Sequence, residues 1–304
     1  MSQTSKSPKK VLKEAYKVGK EVLPKYAHRF SPRTFTQPQL FACLILKAFF
    51  QTDYRGIEGI LSDLPELGRE IGMSKVPHYT TLQKAEKRLL NAEMTRKLLQ
   101  QTIKEALTRT QMKRLGELAA IDGSGFEARH ISHYFVRRKH SKNDDYWGET
   151  TYRRFPKLAL VCDCSTHMAL ALDVGRGPGP DIWHFFRTLK HAVASLPIKI
   201  LLADAAYDSE RSHEFAHNEC SVRSIIPPRI GRQTHKPPTG LFRRKLFNRF
   251  PKTLYRQRWQ VESVFSMMKR RLSSALRARQ YISQCRELSL KVLALNIMIL
   301  YRSR

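Results

Sequence analysis

The sequence predicts an α/β fold, a mixed sheet flanked by helices, behind an N-terminal all-helical region. Three observations predict it. Two uninterrupted apolar runs, Leu118-Ala-Ala-Ile and Ile200-Leu-Leu-Ala, suit strands buried on both faces. Each run is followed by an acid, Asp122 and Asp204, and in open α/β sheets the carboxyl edge is where sites form. Helical periodicity fills most of residues 11–108 and nearly all of the chain after 254.

Taken in order, residues 1–10 are Ser/Lys-rich and read as disordered, and 11–27 as a short basic helix. Thr36 is placed to cap an apolar helix over 38–51. Tyr54 to Asp63 reads as another helix, stopped near Pro65. A long helix runs from Thr80, with Thr80 or Thr81 as cap, to Thr108. The drift of Leu82, Ala85, Leu89, Met94, Leu98 and Ile103 around it predicts a bend or break near Asn91. The turn before Thr80 loosely resembles a helix-turn-helix, and an ordinary helical scaffold fits it equally well.

After Lys113 come the strand ending in Asp122, a hairpin of 157–163 and 168–174, and a turn at Gly175-Arg-Gly-Pro-Gly-Pro. Asp181 then caps a helix to about Ala194, with Trp183, Phe186, Leu189 and Val193 on one face. The strand ending in Asp204, a helix at 209–218 and a strand at 222–226 follow. Residues 227–253, rich in Pro and basic residues, read as a loop, and helices at 254–278 and 283–301 close the chain. The domains are set at 1–112, helical, and 113–304, α/β.

Composition narrows the function classes. With 55 Lys and Arg against 26 Asp and Glu, the net charge of +29 and pI near 10.3 imply a polyanionic partner. No apolar run is long enough to span a bilayer, and the Lys-rich start lacks a signal core. Basic residues interleave with aromatics along the whole chain, which favours nucleic acid over a membrane surface. The five cysteines are scattered and odd in number, so a reducing compartment and no disulfide framework are expected. Cys162-x-Cys164 with His167 falls in a strand-like run and reads as core, not zinc.

The most informative stretch is Tyr255 to Lys269. Val261, Val264, Phe265, Met268 and Leu272 form an apolar stripe, while Tyr255, Arg258, Glu262 and Lys269 stack along a second. After Glu219 the chain holds 20 Lys and Arg and two acids, Glu262 and Glu287. A carboxylate facing a phosphate backbone repels it unless a divalent cation sits between them. Glu262 is therefore read as a metal ligand, with a surface ion pair as the plain alternative.

The element order is that of a ribonuclease-H-like fold. At these residues the chain resembles the DDE transposases of bacterial and archaeal insertion sequences, in the group bearing the Tyr-x2-Arg-x3-Glu-x6-Lys signature. Tyr255, Arg258, Glu262 and Lys269 match it at every spacing, and Asp122 in Ile-Asp-Gly-Ser-Gly and Asp204 in Ala-Asp-Ala-Ala-Tyr-Asp-Ser match the two Asp motifs. The match covers roughly residues 113–280, and loosely Tyr54-Arg-Gly and Pro77-His-Tyr-Thr-Thr-Leu. The short interval from Asp204 to Glu262 leaves no room for a large inserted β-domain. The resemblance implies DNA cleavage and strand transfer at transposon ends, a dimer on paired ends, target DNA as second substrate, and a cytoplasmic, nucleoid-associated setting.

The chemistry asks for the same three acids. Phosphodiester transfer needs an activated nucleophile and a stabilised leaving oxygen, and two Mg²⁺ (or Mn²⁺) ions supply both. Asp122 is expected to bridge the ions, with Asp204 and Glu262 each completing one. Arg258 and Lys269 are expected to hold phosphates, and Tyr255 to stack on a base, contact a phosphate or merely pack. Asp208 reads as a helix cap, Asp163 as a hairpin residue, Asp144, Asp145 and Asp173 as loop residues, and Glu127 and His130 as solvated. The alternatives are a domesticated DNA-binding protein and a nuclease of the same fold without strand transfer.

Overall fold

The computed structural model describes residues 4–109, 112, 114–128, 155–177, 179–229 and 237–301. His130, Asp144 and Asp145 lie outside the described residues.

Six helices come first: α1 Pro8–Val22, α2 Gln37–Phe49, α3 Tyr54–Asp63, α4 Pro65–Arg69, α5 Tyr79–Leu89 and α6 Ala92–Leu107. Their ends follow capping chemistry. Thr36 and Gln39 form a reciprocal capping box on α2, satisfying two orphan N–H groups. Asn91 caps α6, which turns the expected bend into a clean break. His78, rather than Thr80 or Thr81, caps α5, its Nδ1 accepting from the Thr80 N–H. Pro65 starts α4 instead of only ending α3, because a missing N–H costs nothing in a first turn. The expected disorder over 1–10 does not hold from residue 4 onward. Thr4 and Ser5 are buried, and the Ser5 N–H donates to the Met298 carbonyl at 2.8 Å.

The sheet follows: β1 Leu118–Gly125, β3 Phe155–Asp163, β4 Ala169–Gly177, β5 Ile200–Ala203 and β6 Arg223–Ile225, with β2 Glu127–Ala128 outside it. The order is β4-β3-β1-β5-β6. The first three strands pair antiparallel, and β5 and β6 join parallel to β1, giving the ribonuclease-H-like arrangement. Gly175 to Gly177 extend β4 instead of turning, because they continue the ladder with Lys157 to Phe155. Asp173, expected in a loop, lies inside β4 for the same reason and pairs with His184 at 2.7 Å.

Helix α7, Ile182–Ser195, packs on β3 and β4. Its buried stripe is Phe185, Leu189 and Ala192, so the expected face was rotated, and Trp183 is 71% exposed. Helix α8, Glu210–Glu214, is capped by Ser209 and widens into a π turn through Glu219. Asp208 caps nothing: its carboxylate is fully buried and takes a bidentate contact from Arg243. That contact, with Glu210 accepting from the Phe242 and Arg243 N–H groups, stabilises α9 Leu241–Asn248 inside the stretch expected to be loop. Next come α10 Lys252–Tyr255, a 3-10 turn over Arg256–Arg258, and α11 Trp259–Leu272. The expected helix over 254–278 thus starts irregularly and stops at Leu272, where Ser273 takes φ 72° and the chain forms β7 Ala275–Leu276 beside β2. Helix α12, Tyr281–Leu300, closes the fold.

Helix α12 packs on α1, α2 and α6 as well as on β3 and β4, so one apolar core runs from Val11 to Leu300. No described helix is long and apolar enough to cross a membrane. At the centre Asn296, fully buried, donates to Thr102 Oγ1 and the Ala169 carbonyl at 2.9 Å and accepts from the Ala169 N–H at 2.8 Å. It closes the ladder of β4 and ties it to α6. Asn296→Leu keeps the volume and strands these groups in an apolar interior. Denaturant unfolding is expected to read a loss of about 2–4 kcal/mol. A loss within about 0.5 kcal/mol, normal for a surface change, would refute the tie.

Candidate active site

Parallel pairing sets the site. Leu118 to Ile121 of β1 lie opposite Ile200 to Ala203 of β5. The next residue in each case is an acid: Asp122, still within β1, and Asp204, just past the end of β5. Asp122 is not at the end of β1 as expected, since β1 continues to Gly125 against β3. It marks the point where β5 stops and one side of β1 opens.

The two acids differ in surroundings. Asp204 is exposed, and its Oδ1 accepts from the Ala205 N–H at 2.6 Å, which starts the 3-10 turn Ala205–Tyr207. The Asp122 side chain is only 23% exposed. Burial pushes its carboxyl up from an ordinary 3.8 to about 6. The Gly123 N–H and Arg258 oppose that rise, and the charges of Asp181 and Glu262 add to it. The Gly123 N–H donates to Asp122 Oδ1 at 2.8 Å.

Glu262 lies in the first turn of α11, its side chain 55% exposed. Arg258, one turn earlier, hydrogen-bonds Glu262 Oε1 and places Nη1 3.9 Å from Asp122 Oδ2. One guanidinium thus spans the two acids. Asp122 and Ser124 on one side, with Glu262, Phe265 and Lys269 on the other, line an open cavity of about 370 Å³. Asp204 does not line it. Ser124, two residues along β1 and so on the same face as Asp122, accepts from Lys269 Nζ at 2.8 Å. Tyr255 is half-buried and packs edge-on to Phe250, ring centroids 5.0 Å apart. Burial pushes its phenol up. A larger cavity, about 410 Å³ between α6, β4, α7 and α12, lies away from these acids.

Sequence reasoning missed three neighbours. Asp181 precedes α7 but makes no capping bond, because its own backbone is helical (φ −63°, ψ −29°). Its carboxylate instead lies 2.7 Å from Lys157 Nζ. Ser124 and Lys157 carried no signal, since only the β1–β3 register brings them here. Of the acids set aside, Asp163 accepts from the N–H and hydroxyl groups of Ser165 and Thr166, as a hairpin residue should. Glu127 is exposed, though on β2 rather than a loop. Cys43, Cys162 and Cys164 are buried and free.

The donors suit a hard divalent cation: carboxylate oxygens only, with a buried Asp122 anion that a cation would relieve. Among the described residues, no three His, Cys, Asp or Glu side chains stand close enough together to hold a metal ion. Arg258 occupies the space between Asp122 and Glu262.

The family model described as a transposase DDE domain matches residues 113–297. No curated protein matches the chain. The crystal structure of a pre-cleavage Mos1 transpososome is similar over 93% of this chain and 82% of that one, at 10% identity and a TM-score of 0.25. The strand order, not this likeness, carries the fold.

The raised carboxyl of Asp122 has a stability consequence. Between pH 3.8 and about 6 the folded chain holds a proton there that the unfolded chain releases. Its contribution therefore falls as pH rises through that window, by at most about 3 kcal/mol at neutral pH. Metal-free Asp122→Asn is expected to lose this dependence and to melt above the wild type at pH 7, at similar temperature at pH 4. Parallel pH profiles of the two proteins would refute it.

Proposed function

Because the chain belongs to the transposase DDE domain family, we propose that it binds the ends of a prokaryotic insertion sequence, cuts them and joins them to target DNA. The observation that carries this reading is the cavity that Asp122 and Glu262 share, with Asp204 directly following the strand paired parallel to β1. The Tyr255, Arg258, Glu262 and Lys269 spacing supports a reading within the Tyr-Arg-Glu-Lys group.

Asp122, Asp204 and Glu262 would hold two Mg²⁺ or Mn²⁺ ions, Asp122 contributing to both. When bound, the ions lower the pKa of the attacking water and stabilise the charge on the leaving oxygen. The remaining work falls to the chain. In the first step water attacks phosphorus, the bond to the 3′ oxygen breaks, and that oxygen leaves with a proton. In joining, the freed 3′-hydroxyl attacks a target phosphodiester in the same way. No covalent bond to protein is needed.

Arg258, which spans two carboxylates within the chain, would offer its guanidinium to a backbone phosphate. Lys269, fixed by Ser124 on the strand that carries Asp122, holds a second phosphate. Tyr255, at the end of α10 and one 3-10 turn before α11, offers a ring to a base or its hydroxyl to a phosphate. Residues 1–112 supply further DNA contacts, residues 113–304 form the catalytic domain, and two copies act on paired ends in the cytoplasm, at the nucleoid.

Asp122→Asn and Glu262→Gln are expected to slow Mg²⁺-dependent nicking of end-sequence DNA by roughly a thousandfold or more, while DNA binding survives or tightens. Full activity in either variant would remove that residue from the site. Arg258→Ala and Lys269→Ala should each flatten the slope of log affinity against log salt by about 0.9, one phosphate's worth. They should also slow single-turnover cutting more than they weaken binding. Unchanged slope and rate would leave them as internal counterions only. Cutting without joining to target would favour a nuclease, and binding without cutting a domesticated DNA-binding protein.

A further inference from the structure

The cavity of about 410 Å³ between α6, β4, α7 and α12 shares no lining residue with the acid cleft. It lies at the edge of the sheet, where β4 pairs only with β3 and packs against α6, α7 and α12. Its floor is apolar: Leu99 of α6 and Leu170 of β4 are buried, and Leu172 lines it beside them. Its rim is cationic. Arg96, Arg187 and Arg286 reach it from three different helices, against one acid, Asp173. Asp173 is already engaged by His184 at 2.7 Å and by Arg187 at 3.3 Å. Among the described residues, Arg96 and Arg286 have no acid at ion-pair distance.

Arg96 instead places Nη1 3.4 Å from His191 Nε2. Burial lowers the pKa of His191, and Arg96, Arg187 and Lys190 lower it further, with Asp173 opposing. The ring is therefore neutral at pH 7, and the field around it is positive.

A second observation comes from α6. Asn91, Thr95 and Leu99 stand one turn apart on the stripe of that helix that lines the cavity. Thr95 is buried, and its Oγ1 has no hydrogen-bond partner. A buried hydroxyl without a partner costs free energy, which a ligand atom bonded to it would offset.

Leucines below and guanidiniums above suit one class of ligand. A guanidinium fork holds phosphate through paired N–H donors. An apolar slot with arginine at its mouth takes a flat ring, on which a guanidinium also stacks. The volume falls within the range of small-molecule sites. We infer that this cavity binds a nucleoside phosphate, its ring against Leu99, Leu170 and Leu172, its phosphate on Arg96 and Arg286, and one polar atom on the Thr95 hydroxyl. Arg96 and Arg286 come from α6 and α12, which pack together, so both can serve one phosphate. The ligand would bridge α6 of the helical region to β4 of the sheet. The inference goes beyond the DNA chemistry of the cleft and does not depend on it.

Calorimetric titration of the full chain, free of metal and DNA and at fixed ionic strength, tests it with three probes: inorganic phosphate, ribose 5-phosphate and adenosine monophosphate. Adenosine monophosphate is expected to bind one to one and about tenfold tighter than either of the others, because only its base covers the floor. Arg286→Ala should weaken that binding about tenfold and Thr95→Val about threefold. Lys269→Ala, in the cleft, should leave it at the wild-type value. No binding, equal affinity for the three probes, or wild-type affinity in Arg286→Ala or Thr95→Val overturns the proposal. Weakening by Lys269→Ala and not by Arg286→Ala would put the nucleotide in the cleft and overturns it too. Should Arg286→Ala not fold, Arg96→Ala, at an exposed position, tests the same rim: about tenfold weaker binding supports the proposal, and wild-type affinity overturns it. Failure here leaves the reading of Asp122, Asp204 and Glu262 untouched, since neither cation nor cutting enters the measurement.

Discussion

The register between β1 and β5 is the constraint on which the site depends. Ile121 opposite Ala203 makes Asp122 and Asp204 the next residues after the last paired positions of the two strands. A slip of one residue would turn every side chain of a strand to the other face and drive its apolar set out of the core. Ala119, Ala120 and Ile121, like Leu201, Leu202 and Ala203, are wholly buried, so the packing that stabilises the sheet also fixes the acids. Helix α11 adds the third acid: Val261, Val264, Phe265 and Met268 are buried beneath it, which leaves Arg258, Glu262 and Lys269 toward the cleft.

Electrostatics then divides the labour. A chain with net charge +29 is attracted to any polyanion, yet its cleft concentrates carboxylates that repel one. Arg258 reconciles the two by spanning Asp122 and Glu262. It satisfies the acids from within the chain, at short range and partly shielded from water, where such contacts are strongest. Lys269 is held instead by a neutral hydroxyl and lies 5.2 Å from the Phe126 ring centroid, so its charge is not cancelled by a carboxylate there.

The helical region and the sheet both pack against α12. Its apolar side chains contact both, Asn296 supplies a polar tie between them, and the buried Lys47–Glu86 pair at 2.5 Å joins α2 to α5. Buried polar groups of this kind fix one arrangement more than they add stability, since any other leaves them unpaired. The Arg277 guanidinium, donating to the Gln51 carbonyl at 2.6 Å, extends the joint to the end of α11's segment.

The sequence by itself determined the strands of the sheet, the cap at Thr36, the break near Asn91 and the hairpin of β3 and β4, and it singled out the three acids and the Tyr255, Arg258 and Lys269 spacing as candidates. These are local facts: apolar runs, periodicity and spacing survive in one dimension because neighbours along the chain produce them. It misjudged 4–10 and 241–253, where composition argues for disorder or loop but distant partners, Met298 for Ser5 and Glu210 for Phe242, give the backbone its hydrogen bonds. It also misjudged the buried face of α7 and the role of Asp208. Only the tertiary structure decided that Asp181 lies over Gly123, that Lys157 steadies it, that Ser124 fixes Lys269 and that Arg258 spans two acids. Each is a contact between elements far apart in sequence. Its existence depends on strand register and helix placement, and packing sets those only when the whole core closes.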